Sequence, residues 1–355
     1  MFADFLFNGA GAAVDRLASY AFVGRTKRAR ARSSAESLGP AERERALAAI
    51  ASTWDPATLD DDRLFPRSPA IDPKLARVRA LSGGDVVDAS WASAFTPIDD
   101  AVTERYAARA ENARAAVRLF LHHEPRPAAV LVHGYRAGRF SFEERAWPVS
   151  WLFERGLDVA LFTLPGHGAR GRGDGGAPFW PSSDPRVTNE GFRQAMFDLG
   201  ALVDHLHARG APSVGVMGMS LGGYTTALAA TVERGLSFAM PIIPLASLPD
   251  VAREGDRYVG TPEEQRTQHE LLERAHLAVS PLARAPLIDP SRTLVVAATG
   301  DRITPVAHAR KLAAHLGAPI VELAGGHLLQ MWRGEAFRQV GRLLGGLGLL
   351  AERQR

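Results

Sequence analysis

Hydrophobic positions change their spacing twice along the 355-residue chain. Phe2, Phe5, Leu6, Ala10, Ala13, Val14, Leu17, Ala21 and Phe22 recur at helical spacing, with Asp4, Asn8, Asp15, Arg16 and Ser19 on the other side. This period predicts one amphipathic helix. A second helical stretch is expected near 41–52, followed by a Pro- and Asp-rich loop through Asp60, Asp61 and Asp62. From about Asp85 short β-rich runs alternate with longer helical ones. Strands are expected at 86–95, 116–122, 128–132, 158–163, 213–217, 238–243, 293–298 and 319–323. Helices are expected at 142–155, 189–209, 221–234, 306–316 and 335–349.

The later strands are continuous apolar runs, so each is expected to be buried on both faces, which a parallel sheet covered by helices provides. The fold class is therefore α/β: a mostly parallel central sheet with helices on both faces. An N-terminal helical extension is assigned to 1–84 and the main domain to 85–355. Residues 244–290 are too long for an ordinary crossover loop. Their helical segment near 262–277 reads as a small lid, a device that excludes water and selects substrate shape. In open sheets of this kind, functional residues gather beyond the carboxyl ends of the strands.

Composition narrows the classes. With 46% hydrophobic and 23% charged residues, the chain can bury a large core and shows no sign of long disorder. The net charge is only +3, and lysine is confined to Lys27, Lys74 and Lys311, so the basic balance is arginine usage and implies no nucleic-acid partner. Cysteine is absent, which removes disulfides, thiolate nucleophiles and Cys-based zinc sites. Asp15 and Arg16 interrupt the first apolar run and no basic leader precedes it, which argues against a secretory signal or a membrane span. With the basic run Arg25, Lys27, Arg28, Arg30 and Arg32, the helix has the make-up of a membrane-surface anchor. Docking on the protein's own body is the preferred reading. The expected location is cytoplasmic, with membrane-surface attachment and homo-oligomerisation as open alternatives.

Residues 214–224 (VGVMGMSLGGY) place a strand, a sharp turn with Ser220 at its tip, and a helix from about Leu221. Gly218, Gly222 and Gly223 let the backbones approach while the turn holds the hydroxyl out of the sheet. At a helix N-terminus, unpaired N–H groups and the helix dipole favour developing negative charge. The pattern reads as an activated nucleophile; an N-capping serine is the alternative.

At these residues the sequence resembles the α/β-hydrolase family over about 85–350, closest to its dienelactone-hydrolase and acyl-esterase-like branch. Residues 130–135 (VLVHGY) resemble the strand that ends in His-Gly, whose loop supplies an oxyanion donor. Residues 164–168 (LPGHG) are similar to the Pro-Gly-x-Gly turn, with Thr163 where the family often has Asp. Residues 300–305 (GDRITP) resemble the acid loop and 325–327 (GGH) the histidine loop, in the order Ser, Asp, His that this fold uses. The resemblance implies a triad of Ser220, His327 and Asp301, with Asp250 as the alternative acid. His327 would act as general base, Asp301 would fix its tautomer, and the backbone N–H groups of Tyr135 and Leu221 would bind the oxyanion, at about 3 kcal/mol per donor.

His133 and His167 belong to turns near the site, where they orient loops or line the pocket; Phe179, Trp180, Met331 and Trp332 are weaker candidates for the pocket wall, with core packing as the default for the last two. Phe179 and Trp180 stand in a Gly- and Pro-rich loop over 169–186. His205 and His207 lie two apart on a helix, on different faces, so they form no metal pair; neither a metal nor a cofactor is expected. The expected activity is hydrolysis of a small-molecule carboxylic ester (EC 3.1.1) through an acyl-enzyme. An amidase, peptidase, thioesterase or acyltransferase would use the same residues, and a binding protein on the same fold is the non-enzymatic rival.

Overall fold

The apolar runs assemble into one sheet in the structure, a computed structural model that describes residues 12, 14–15, 38–173, 176–330 and 333–351. Nine strands form it among the described residues: β1 Lys74–Leu81, β2 Gly84–Ala92, β3 Arg114–His122, β4 Ala128–Val132, β5 Asp158–Phe162, β6 Val214–Met219, β7 Ala239–Ile242, β8 Val295–Ala298 and β9 Ile320–Leu323. Their order is β1-β2-β3-β5-β4-β6-β7-β8-β9. The first three are antiparallel and β3 runs antiparallel to β5; from β5 through β9 every pair is parallel.

Helices α1 Pro40–Thr53, α2 Asp61–Leu64, α3 Asp100–Ala107, α4 Phe140–Ala146, α5 Val149–Phe153, α6 Pro185–Ala208, α7 Leu221–Val232, α8 Leu248–Glu254, α9 Pro262–His276, α10 Val306–Leu316 and α11 Arg333–Gly346 surround the sheet. Alternation along β4 distributes the core. Val130 and Val132 pack with Phe192 of α6 and Leu228 of α7, whereas Ala129 and Leu131 pack with Leu152 of α5 and Val340 of α11. Both faces are thereby buried, as a continuous apolar strand requires.

Two boundaries differ from the sequence expectation. β1 is an edge strand inside the stretch assigned to the helical extension, so the sheet begins at Lys74 rather than near Asp85. Its residues are exposed over nearly its whole length, leaving no apolar alternation to read. The helix expected at 142–155 is two helices, α4 and α5, because Pro148 lacks the N–H that would continue the ladder.

Within 244–290, α9 rests on α1, α6 and α8. Ile50, Ala51, Trp54 and Leu64 form an apolar cluster with Ala275 and Ala278. Asn189 of α6 donates from Nδ2 to the Ala275 carbonyl at 2.8 Å, and its Oδ1 lies 2.7 Å from His276 Nδ1. No helix among the described residues is long and apolar enough to cross a membrane. The helix expected over 2–22, the basic run over 25–32 and the pocket candidates Met331 and Trp332 lie outside the described residues, apart from Ala12, Val14 and Asp15.

Candidate active site

Ser220 sits between β6 and α7 with φ 56° and ψ −113°, a backbone conformation that side chains other than glycine rarely adopt. Its amide donates to the Ile242 carbonyl at 3.0 Å and its carbonyl accepts the Tyr224 amide at 3.1 Å. The turn is tight enough that a Cβ at Gly218 would collide with the Gly222 carbonyl oxygen. One at Gly222 would collide with that of Val132. The neighbouring chain after β4 runs in van der Waals contact with the serine, because a Cβ at Gly134 would stand 3.4 Å from Ser220 Cβ. Tyr135, next in sequence, and Leu221, at the start of α7, therefore carry their backbones past the serine.

His327 and Asp301 end the next part of the sheet, after β9 and β8. His327 Nδ1 lies 2.7 Å from Asp301 Oδ2, and both residues are buried. Asp301 Oδ1 accepts the amides of Ile303 and Thr304, each at 2.8 Å. Thr304 Oγ1 donates to Asp301 Oδ2 or to the Ile243 carbonyl, at 3.0 and 3.1 Å, and is 3.0 Å from His327 Nδ1. With Nδ1 turned to a carboxylate, the imidazole presents Nε2 as its acceptor. Asp250, the alternative acid, is otherwise engaged: it binds Arg253 at 2.5 Å and Lys311 at 3.1 Å. Although burial raises its pKa, Lys311 and the other partners hold it below the ordinary carboxylate value.

Of the two readings of His133 and His167, the structure shows them bracing loops. His133 Nδ1 donates to the Gly134 carbonyl at 2.8 Å, and its Nε2 accepts the Leu164 amide at 3.0 Å. Burial, with His167 nearby, pushes its pKa down to about 3. His167 donates to the Pro165 carbonyl at 2.8 Å and is pushed to about 4, again by burial. Trp180, expected on the pocket wall, is in the core: it has no exposed surface, donates to the Thr188 carbonyl at 2.8 Å and packs on Phe192. Phe179 covers the Gly166 turn and packs edge-on against Tyr106.

Three features escaped the sequence reading. Thr304 is one. Asn112 is another, accepting the Gly166 amide at 3.0 Å while its carbonyl takes a bond from buried Arg170. The third is Asp15, noted only as an interruption of an apolar run. Its oxygens accept the amides of His327 at 2.7 Å, Leu328 at 3.0 Å and Arg302 at 3.2 Å. An Asp-x-x-Thr turn is a visible signal for Thr304; a bond across some three hundred residues leaves none for Asp15.

Among known proteins, no family model matches the sequence. Two curated relatives from Mycobacterium tuberculosis, the uncharacterized proteins MT2702 of strain CDC 1551 / Oshkosh and Rv2627c of strain ATCC 25618 / H37Rv, are each 32% identical over 244 residues. The match covers 66% of this chain and 58% of theirs, so the chain spans less than two thirds of their length. Similar solved structures include an acetyl xylan esterase from Paenibacillus sp. R4, at TM-score 0.55 and 18% identity over 82% of this chain and 93% of that one. Acetyl xylan esterase 1 from Thermoanaerobacterium sp. JW/SL YS485 is similar at TM-score 0.53 and 16% identity, over 81% and 92%. The chain has the α/β-hydrolase fold.

Proposed function

We propose that the protein is a serine hydrolase that cleaves carboxylic esters through an acyl-enzyme, with Ser220, His327 and Asp301 as its triad. The observation that carries this reading is a serine held at positive φ on a strand-to-helix turn, in a sheet whose neighbouring loops pair a histidine with a buried carboxylate. Such strain persists only where surrounding structure enforces it. The acetyl xylan esterases that share the fold are consistent with an ester substrate. We assign 244–290 as the covering element of the site.

In this mechanism His327 Nε2 takes the proton of Ser220 Oγ as the oxygen attacks the ester carbonyl carbon. The negative charge passes to the carbonyl oxygen, which the backbone N–H groups of Leu221 and Tyr135 bind. Collapse breaks the bond to the alcohol oxygen, which leaves with the proton from His327. Water then attacks the acyl-serine, His327 takes its proton and returns it to Ser220, and the carboxylic acid departs. Asp301 stays ionised throughout, holding the tautomer and stabilising the transient imidazolium.

Rates on p-nitrophenyl acetate, butyrate and octanoate test the reading. Ser220→Ala is expected to lose about a millionfold in kcat, in practice falling to background. A fluorophosphonate probe should label the wild type and leave the variant unlabelled. An unlabelled wild type that hydrolyses none of the three esters overturns the proposal.

A further inference from the structure

We infer that Asp15 is a positioning residue of the catalytic apparatus, a carboxylate from the N-terminal segment that locks the acid loop and the histidine loop to each other. Its catalytic consequence rests on the serine-hydrolase reading above. Asp15 is fully buried. Oδ2 accepts the amides of His327 and Arg302, and Oδ1 accepts that of Leu328. The donors flank both members of the His327–Asp301 pair: Arg302 directly follows the acid, and Leu328 directly follows the histidine.

A buried carboxylate is costly unless its oxygens are hydrogen-bonded, and bonds from N–H groups to an ionised acceptor are the strong kind. Here three such bonds converge on one side chain, and all three donors belong to the two loops that meet at the candidate triad. Those loops need an external anchor because their own backbone is permissive: Gly325 and Gly326 precede His327, and Gly325 has φ 131°. The loops touch each other directly through the Gly300 amide and the Gly325 carbonyl at 2.8 Å. Asp15 fastens the far side of the same junction.

The histidine is consequently gripped at three points. Its amide goes to Asp15, its carbonyl accepts Gln330 Nε2 at 2.8 Å, and its Nδ1 goes to Asp301. Only Nε2, the atom that must reach the serine, is left for chemistry. Catalytic rates respond steeply to such placement, since a misplacement of about 1 Å can cost on the order of 100-fold. Asp15 thus belongs to the apparatus that positions the histidine.

Full-length Asp15→Asn and Asp15→Ala variants, assayed with p-nitrophenyl acetate, test the inference. Both are expected to lower kcat by about 10- to 100-fold while KM stays within about twofold. A second readout needs no turnover. The downfield proton resonance of the His327–Asp301 hydrogen bond, assigned by its loss in His327→Gln, is expected in wild type and should be broadened or shifted in both Asp15 variants. Wild-type kcat with an unchanged resonance overturns the inference. So does a lowered thermal midpoint with kcat per folded molecule and resonance intact, or failure of both variants to fold, since each assigns Asp15 to stability alone. Should wild type hydrolyse the ester no faster than Ser220→Ala, the hydrolase reading falls, and the resonance still decides whether Asp15 sets the His327–Asp301 pair.

Discussion

The β4–β5 middle of the sheet and its β8–β9 end each hold a buried histidine, and the two differ in what surrounds Nδ1. His133, after β4, meets only backbone, donating to the Gly134 carbonyl and accepting the Leu164 amide. Burial keeps it neutral well below the usual histidine range, at about 3. His327, after β9, meets a carboxylate at 2.7 Å that two further amides and a hydroxyl hold in place. Burial outweighs the little that the Gly134 carbonyl does for a protonated His133, whereas an imidazole beside a fixed carboxylate can accept a proton transiently. Position at a strand end therefore does not separate a general base from a brace. The partner of Nδ1 does.

The largest expected effect tests that partner. Asp301→Asn should reduce kcat on p-nitrophenyl acetate by about 10⁴-fold, because the amide imposes the wrong tautomer on His327. Asp250→Asn, which disturbs a carboxylate already bound to Arg253 and Lys311, should change kcat by less than about threefold, as its hydrogen bonds do not go to His327. Equal losses in the two variants would erase the assignment of Asp301 as the acid.

How much of this was legible follows from the range of each interaction. The parallel strands β4 to β8 were readable because burial on both faces writes an unbroken apolar run, as in β4, whereas the edge strand β9 is only partly buried. Ser220 was readable because its elbow is built from residues within four positions of it. Asp301 and His327 were readable as strand-following loop residues, and the family resemblance paired them while leaving Asp250 open as the alternative acid. β1 left no trace because an exposed edge strand needs no apolar face, and its Arg77 instead binds Asp85. Trp180 was misplaced for the opposite reason: a Pro- and Gly-rich loop suggests a surface, yet Gly191 of α6 lacks a Cβ where the indole lies, and the ring fills that space. Asp15 and Asn112 act on amides distant in sequence, and an amide is carried by nearly every residue, so no local pattern marks their partners.

In the middle of the sheet, after β4, the expected cost is in stability. His133→Leu removes a titrating group and leaves the Leu164 amide without its acceptor, a loss of about 1–3 kcal/mol. Urea unfolding at pH 7.5 reads it, with kcat per folded molecule expected to fall less than about tenfold. The same variant isolates a pH effect. Since the folded value is about 3 and the ordinary value 6.5, the unfolded chain binds the proton first as pH falls. The stability of a neutral buried histidine is thus fully present above pH 6.5 and is lost progressively toward pH 3, by up to about 1.4 kcal/mol per pH unit. His276 and His167, lowered to about 3 and about 4, act with the same sign in both proteins and cancel in the difference. The gap between wild type and His133→Leu should therefore narrow by roughly 1–2 kcal/mol between pH 7.5 and 5. A constant gap would mean that His133 titrates in the fold as it does in the unfolded chain, and the contrast with His327 would collapse.

The smallest expected effect refines the β8–β9 end. Thr304 Oγ1 lies 3.0 Å from both Asp301 Oδ2 and His327 Nδ1 and reaches the Ile243 carbonyl at 3.1 Å, but the hydroxyl has one proton to give. If it goes to Asp301, it lowers the carboxylate's hold on His327; if it goes to Ile243, the oxygen's lone pairs face Nδ1–H and add to that hold. Thr304→Val keeps the shape and removes the hydroxyl, at a cost of about 1 kcal/mol for one neutral hydrogen bond. A fall in kcat of about fivefold assigns the proton to Ile243 and makes Thr304 a second acceptor for the histidine. A rise in kcat assigns it to Asp301, with the hydroxyl competing against His327 for the same oxygen. Thr304→Ser, which restores the hydroxyl without the methyl, should return kcat toward wild type in either case and so separates the bond from the packing.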